Sequence, residues 1–135
     1  MSSFKNLRIV DNFYQTSSFF PMPTVLIGTL TEDGKTNLGP YSLVQPYYIA
    51  GKDYYAMLLC CRNSSNTAQN ILRNKKCTLN FIPDDRKLFK EAVRLGFPGD
   101  TTEEKMKNCI YTLEEGLRAA EDPQGKYPQV VAESF

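Results

Sequence analysis

Residues 19–43 read FFPMPTVLIGTLTEDGKTNLGPYSL, and this stretch decides the fold. From Phe19 to Thr31 an apolar run follows two prolines. Its branched aliphatic content and short length indicate a buried strand rather than a helix. Glu32-Asp33-Gly34-Lys35 then supplies an Asp-Gly pair, which favours a tight hairpin. The chain must therefore come back antiparallel. The returning segment, Thr36 to Ile49, is extended but interrupted by Gly39, Pro40 and Pro46. A strand with those residues bends or lies at a sheet edge.

Beyond this hairpin, Gly51-Lys52-Asp53 marks a second turn and Tyr54 to Cys61 another apolar strand. Polar residues crowd Arg62-Asn63-Ser64-Ser65-Asn66. Asn66 is a good N-cap, with Gln69 three residues later as in a capping box. The helix it opens runs from Thr67 to Asn74 and buries Ile71 and Leu72. Cys77 to Ile82 is a further strand, stopped by Pro83. Asp84 or Asp85 caps a short helix through Leu88, Ala92 and Leu95, ending near Gly96. Thr101-x-x-Glu104 is a second capping box. After it Met106, Ile110, Leu113 and Leu117 form one apolar stripe, so one helix is expected up to Asp122-Pro123. Val130-Val131-Ala132 is a last strand. The class is α+β, mainly an antiparallel sheet or barrel with inserted helices.

The 135 residues suit one domain, residues 1–135, with a real core. Sixteen basic residues against fifteen acidic ones leave a net charge of +1. Nucleic-acid binders carry a marked basic excess, so nucleic acid is not an expected partner. No stretch approaches the roughly 18 apolar residues of a membrane span. Met1 to Phe13 lacks the apolar core of a signal peptide. No membrane partner and a cytoplasmic location are the expectations. Of the four cysteines, Cys60 and Cys61 are adjacent and Cys77 and Cys109 stand alone, without C-x-x-C spacing; buried reduced thiols are expected. The chain has no histidine. That removes Ser-His-Asp and Cys-His nucleophile systems and ordinary His-bearing zinc sites. No catalytic side chain and no metal ligand is assigned, and an enzyme of this composition would lean on a cofactor.

Two segments could carry chemistry. Arg62-Asn63-Ser64-Ser65-Asn66-Thr67 leaves a strand, enters a helix, and brings hydroxyls, amides and a guanidinium together. Free N–H groups at a helix start bind phosphate readily, and a guanidinium suits phosphate oxygens. The same residues also suit a plain helix cap, with Arg62 as a solvated surface residue. In Thr36-Asn37-Leu38-Gly39-Pro40-Tyr41-Ser42-Leu43, exposed main chain on a bent strand could read the edge of a flat ligand. Gly39 permits close approach, Tyr41 could cover a ring, and Asn37 or Ser42 could bond its polar rim. An irregular edge strand with Tyr41 in the core is the other reading. Tyr47, Tyr48, Tyr54 and Tyr55 could stack on single-stranded RNA, but the charge balance argues for core or interface. Helix capping explains Asp84-Asp85, and a buried strand end explains Cys60-Cys61.

Taken in order, FPMPTVLIGTL, EDGKTNLGPYSLV, RNSSNTAQNI and CTLNFI resemble the flavin reductase-like, FMN-binding split-barrel family over residues 19–135. The resemblance implies a homodimeric antiparallel split barrel with FMN at or near the subunit interface. It implies that Asn37, Pro40, Tyr41, Ser42 and Leu43 face the isoalloxazine ring and ribityl chain. Arg62, Ser64, Asn66 and Thr67 would hold the phosphate, with Asn70 supporting that loop. The implied activity is hydride transfer from NADH or NADPH to the flavin and reduction of an external acceptor. The alternatives are an FMN-binding electron-transfer protein without its own nicotinamide oxidation, and a flavin-free structural or small-ligand domain. Family members continue beyond the point reached by Val131-Ala132-Glu133-Ser134-Phe135, so the expectation is a barrel short of its C-terminal strands.

Overall fold

The computed structural model describes residues 22–52, 54–97 and 101–135. The readings of Met1 to Phe13, of the strand start at 19–21 and of Asp53 in the second turn lie outside them. Strand β1 (Val25–Leu30) turns back through Asp33-Gly34 into β2 (Thr36–Tyr41). Gly34 adopts φ 79°, the left-handed conformation that this turn needs. Strand β5 (Thr78–Phe81) pairs antiparallel with the other side of β1, giving the order β2–β1–β5. A separate antiparallel hairpin joins β3 (Val44–Ile49) to β4 (Tyr54–Leu59) through a turn with Gly51 at φ 78°. Pro40 and Pro46 both fall on edge strands, where a missing N–H costs no ladder bond.

All six residues of β1 are buried because both faces are covered. Side chains alternate along a strand. Leu26 joins Leu38, Ala92, Leu95, Tyr111 and Val131 on one face, while Val25 and Ile27 join Val44 on the other. The first cluster is roofed by α2 (Arg86–Leu95), capped by Asp85. Helix α1 (Asn66–Asn74) packs over the second face and is tied to it by Asn70 Nδ2, which donates to Thr29 Oγ1 at 3.1 Å.

Four local expectations are corrected. The N-cap of α1 is Ser65, not Asn66: its hydroxyl accepts from the Ala68 amide and also from Tyr41 OH. The buried face of α1 is Thr67, Ala68 and Asn70, and Leu72 is exposed, one residue round from the half-buried Ile71. The largest correction is in the C-terminal third. The Thr101–Glu104 box opens only a short helix, α3 (Thr102–Lys107). The chain then forms β6 (Leu113–Glu114), α4 (Leu117–Glu121) and β7 (Val130–Val131), with β6 and β7 paired antiparallel. Distant partners override the stripe. Tyr111 is buried with its hydroxyl on Leu88 O, the Thr112 amide donates to the Glu133 carboxylate, and the Val131 amide donates to Asn80 Oδ1. Leu117 is left exposed. All four cysteines are free, but Cys60 and Cys77 are exposed rather than buried.

Candidate functional site

Strand β2 is an edge strand flanked by the start of α1 on one side and the end of α2 on the other. A cleft of about 650 Å3 opens there, within the ~300–1,000 Å3 typical of small-ligand sites. Its floor is Asn37, Gly39, Pro40 and Tyr41 from β2. One wall is Arg62 and Ser64 to Thr67, entering α1. The opposite wall is Leu95, Gly96 and Phe97 at the end of α2, with Lys105 from α3.

Two glycines let these elements close on one another. A side chain at Gly39 would place Cβ 2.7 Å from Thr67 Oγ1 and 3.1 Å from the Tyr41 ring. A Cβ at Gly96 would lie 2.9 Å from Pro40 Cγ. Tyr41 OH donates to Ser65 Oγ at 3.3 Å, joining the floor to the wall. Tyr41 also packs against the core cluster of Val25, Ile27 and Val44, so it serves both the core and the cleft.

Two cationic side chains face the cleft. Arg62 and Lys105 line it and no carboxylate does, among the described residues. The start of α1 adds the amides of Asn66 and Thr67, which a helix leaves without internal partners, and the positive end of its dipole. Ser65 takes up the third amide, that of Ala68. Such a wall suits a phosphate.

Asn37 is the most telling residue of the floor. It is 1% exposed, and its Oδ1 accepts from Thr102 Oγ1 at 3.1 Å. Its Nδ2 is the buried side-chain polar atom without a hydrogen-bond partner among the described residues. A buried donor left unmade costs about 1–3 kcal/mol. The residue that carries this donor lines the cleft floor.

The opposite wall is held by polar clasps. Lys105 Nζ donates to Leu95 O at 2.9 Å, at the negative end of α2. Arg94 donates to both Glu91 oxygens and to Lys105 O. The Arg94 hydrogen bond holds the Glu91 carboxyl below the usual carboxylate range, against the opposing effect of burial.

Seven of the ten sequence-derived residues line this one cleft: Asn37, Pro40, Tyr41, Arg62, Ser64, Asn66 and Thr67. Ser42 and Leu43 do not line it; both are exposed in the link between β2 and β3. Asn70 lies behind the wall, bonded to Thr29 and accepting from Arg73. Phe97, Thr102 and Lys105 escaped the sequence reading, because nothing local says that the chain after Gly96 folds back over β2. A second hollow of about 670 Å3 is lined in part by Cys109, Tyr111 and Tyr127. Its two tyrosine hydroxyls are already bonded, to Leu88 O and to Asp122. Among the described residues no cluster of metal-ligating side chains occurs, and no helix is long and apolar enough to cross a membrane.

No family model and no curated protein matches the chain. Solved structures do. A split-barrel protein assigned as a flavin reductase, from Shewanella frigidimarina NCIMB 400, superposes with a TM-score of 0.67 at 22% identity, over 96% of this chain and 59% of its own. Nitrilotriacetate monooxygenase component B from Bacillus cereus gives 0.66 at 16% identity, over 99% and 64%. A 2-nitrobenzoate 2-nitroreductase from Pseudomonas fluorescens gives 0.64 at 14% identity, over 98% and 61%. The chain thus spans about three-fifths of the length of each. At these identities the likeness is one of fold: the chain folds as a flavin reductase-like split barrel.

Proposed function

We propose that this chain is a single flavin-binding domain that holds FMN in the β2 cleft and works as an NAD(P)H-dependent flavin reductase-type oxidoreductase. The observation that carries the reading is the pairing of an unmade buried donor with a phosphate-suited wall. Asn37, whose buried Nδ2 has no partner among the described residues, lines the floor, and Arg62, Ser64 and the start of α1 stand beside it. The donor set fits the group. Isoalloxazine is flat and its polar edge is rich in acceptors, which suits a floor brought close by Gly39. The phosphate suits the guanidinium, hydroxyls and helix amides.

Arg62, Ser64, Asn66 and Thr67 would bind the phosphate. Asn37, Pro40 and Tyr41 would orient the ring, with Ser42 and Leu43 continuing the same chain outward. Asn70 keeps α1 in register on β1. Leu95 and Phe97 would exclude water from one side. The chemistry a bound FMN supplies is acceptance of a hydride from NADH or NADPH and passage of two electrons to an acceptor. The protein's share is positioning and electrostatics, which needs no general base and agrees with a chain without histidine.

The reading includes a homodimer. Its support is the β3–β4 hairpin, where Tyr47, Tyr48, Tyr54, Tyr55, Met57 and Leu58 are all exposed. Tyr48, Tyr55 and Met57 share one face of the hairpin and Tyr47, Tyr54 and Leu58 the other, so each face presents apolar side chains of the kind that mark interaction sites. Four free thiols fit a reducing compartment, and the reading puts the protein in the cytoplasm.

The test is a spectral titration of the purified protein with FMN and with riboflavin, followed by anaerobic NADH and NADPH. The expected result is a bound flavin that bleaches on reduction. Arg62→Ala should weaken FMN about tenfold and leave riboflavin unchanged. A protein that binds neither flavin overturns the reading. One that binds FMN without bleaching is an electron-transfer flavoprotein instead.

A further inference from the structure

We infer that Tyr41 is a positioning residue for the phosphate wall, acting through the N-cap of α1; this rests on the FMN reading of the cleft. The Tyr41 ring packs against the cluster of Val25, Ile27 and Val44, so its hydroxyl stands at the end of an anchored ring. That hydroxyl lies 3.3 Å from Ser65 Oγ, within hydrogen-bond reach. Ser65 Oγ also accepts from the Ala68 amide at 3.1 Å, which caps α1. Whichever hydroxyl gives the proton, the bond ties the core to the residue that starts the helix. Tyr41 and Ser65 both line the cleft, and so do the neighbours of Ser65 along the chain, Ser64, Asn66 and Thr67.

A second contact acts on the same stretch. Gly39 and Tyr41 alternate onto one face of β2, and a Cβ at Gly39 would lie 2.7 Å from Thr67 Oγ1. The strand therefore meets the start of α1 twice, at Thr67 by close packing and at Ser65 by a hydrogen bond. The bond from Asn70 to Thr29 holds the helix to β1 further along. Removing the Tyr41 oxygen leaves the cap itself in place, because the Ala68 amide still meets Ser65 Oγ. The helix persists, but its first turn loses its hydrogen bond to the strand. Groups that bind a ligand must be held within about 0.5 Å of their working geometry. The amides of Asn66 and Thr67 belong to that turn, so a phosphate on them feels the loss, whereas a ring on the β2 floor feels it less.

The experiment titrates FMN and riboflavin into the unaltered protein, Tyr41→Phe, Ser65→Gly and the double variant. Tyr41→Phe keeps the ring and removes only the oxygen. Ser65→Gly removes the hydroxyl with a residue that helix N-caps tolerate at a cost of a few tenths of a kcal/mol. Tyr41→Phe should lower the affinity for FMN about three- to fivefold more than that for riboflavin. A loss of packing or of overall stability would weaken both flavins alike and leave the ratio of the two affinities unchanged. In the Ser65→Gly background Tyr41→Phe should move the ratio no further, because the two hydroxyls act as a unit. An unchanged ratio in Tyr41→Phe, whatever its thermal stability, would overturn the inference. So would a further shift in the Ser65→Gly background, since the Tyr41 hydroxyl would then meet the phosphate itself. Failure of the FMN reading looks different: the unaltered protein then binds neither flavin, and the inference falls with it. Unaltered protein that binds FMN and responds to Arg62→Ala, beside a Tyr41→Phe of unchanged ratio, removes the Tyr41 role alone.

Discussion

Strands β1 and β4 are each six residues long and mostly apolar, VLIGTL and YYAMLL, yet every residue of β1 is buried and none of β4 is. The difference lies in what each strand has beside and above it. β1 has β2 and β5 on its two edges, α1 over one face and α2 over the other. β4 has β3 alone. An apolar run says that a strand will form; it does not say which part of the chain, or which other chain, will cover it. In the proposed dimer the cover of β4 is a second copy.

The largest effect expected from this contrast is on stability. Leu26→Ala removes a fully buried side chain from the cluster under α2 and should cost about 3 kcal/mol, read from a denaturant titration. The same truncation at Leu58 in β4, at a concentration that keeps the protein monomeric, should cost less than about 0.5 kcal/mol. Similar costs at the two sites would break the comparison, and β4 would then be covered within its own chain.

A second measurement acts on the other half of the contrast. Tyr48 and Tyr55 face each other across the hairpin with ring centroids 5.1 Å apart. Replacing both with lysine should weaken self-association about a hundredfold, since aromatic anchors dominate such interfaces. Stability of the isolated chain should barely change. Sedimentation across a concentration series checks this. A wild-type chain that never self-associates ends the second-copy reading.

How far the sequence could be read follows the same divide. The β1–β2 hairpin was legible because its evidence is local: an apolar run, an Asp-Gly turn and prolines that only edges tolerate. So was the wall at Arg62 to Thr67, because strand exit, polar cluster and helix start are consecutive. The segment after Thr101 was not. Its apolar stripe is a sound local signal for a long helix, but Leu88, Asn80 and Glu133 outbid it, and none of them is near in sequence. The contact of Thr102 with Asn37 was invisible for that reason: it depends on α3 reaching back 65 residues.

The smallest effect sharpens the contrast between a region held by apolar burial and one held by charge. The far wall of the cleft depends on Glu91, whose oxygens take Arg94 Nε at 2.9 Å and Arg94 Nη2 at 2.5 Å, and on the bond from Arg94 to Lys105 O. Because Arg94 holds the Glu91 carboxyl below its ordinary value of 4.5, the unfolded chain takes up that proton first as the pH falls. The stabilisation is therefore complete above that ordinary value and is lost as pH drops through the lower folded one. Glu91→Gln keeps the shape and removes the charge. It should cost about 1 kcal/mol at pH 7, a value kept small by the partial exposure of Arg94. Well below the folded value the variant and the parent should unfold at the same denaturant midpoint, whereas the deficit of Leu26→Ala should persist at every pH, since no proton is involved. A Glu91→Gln deficit that stays constant into acid would mean that the wall is held by the shape and hydrogen bonds of the side chain, including the Ile110 amide it accepts from, and not by its charge.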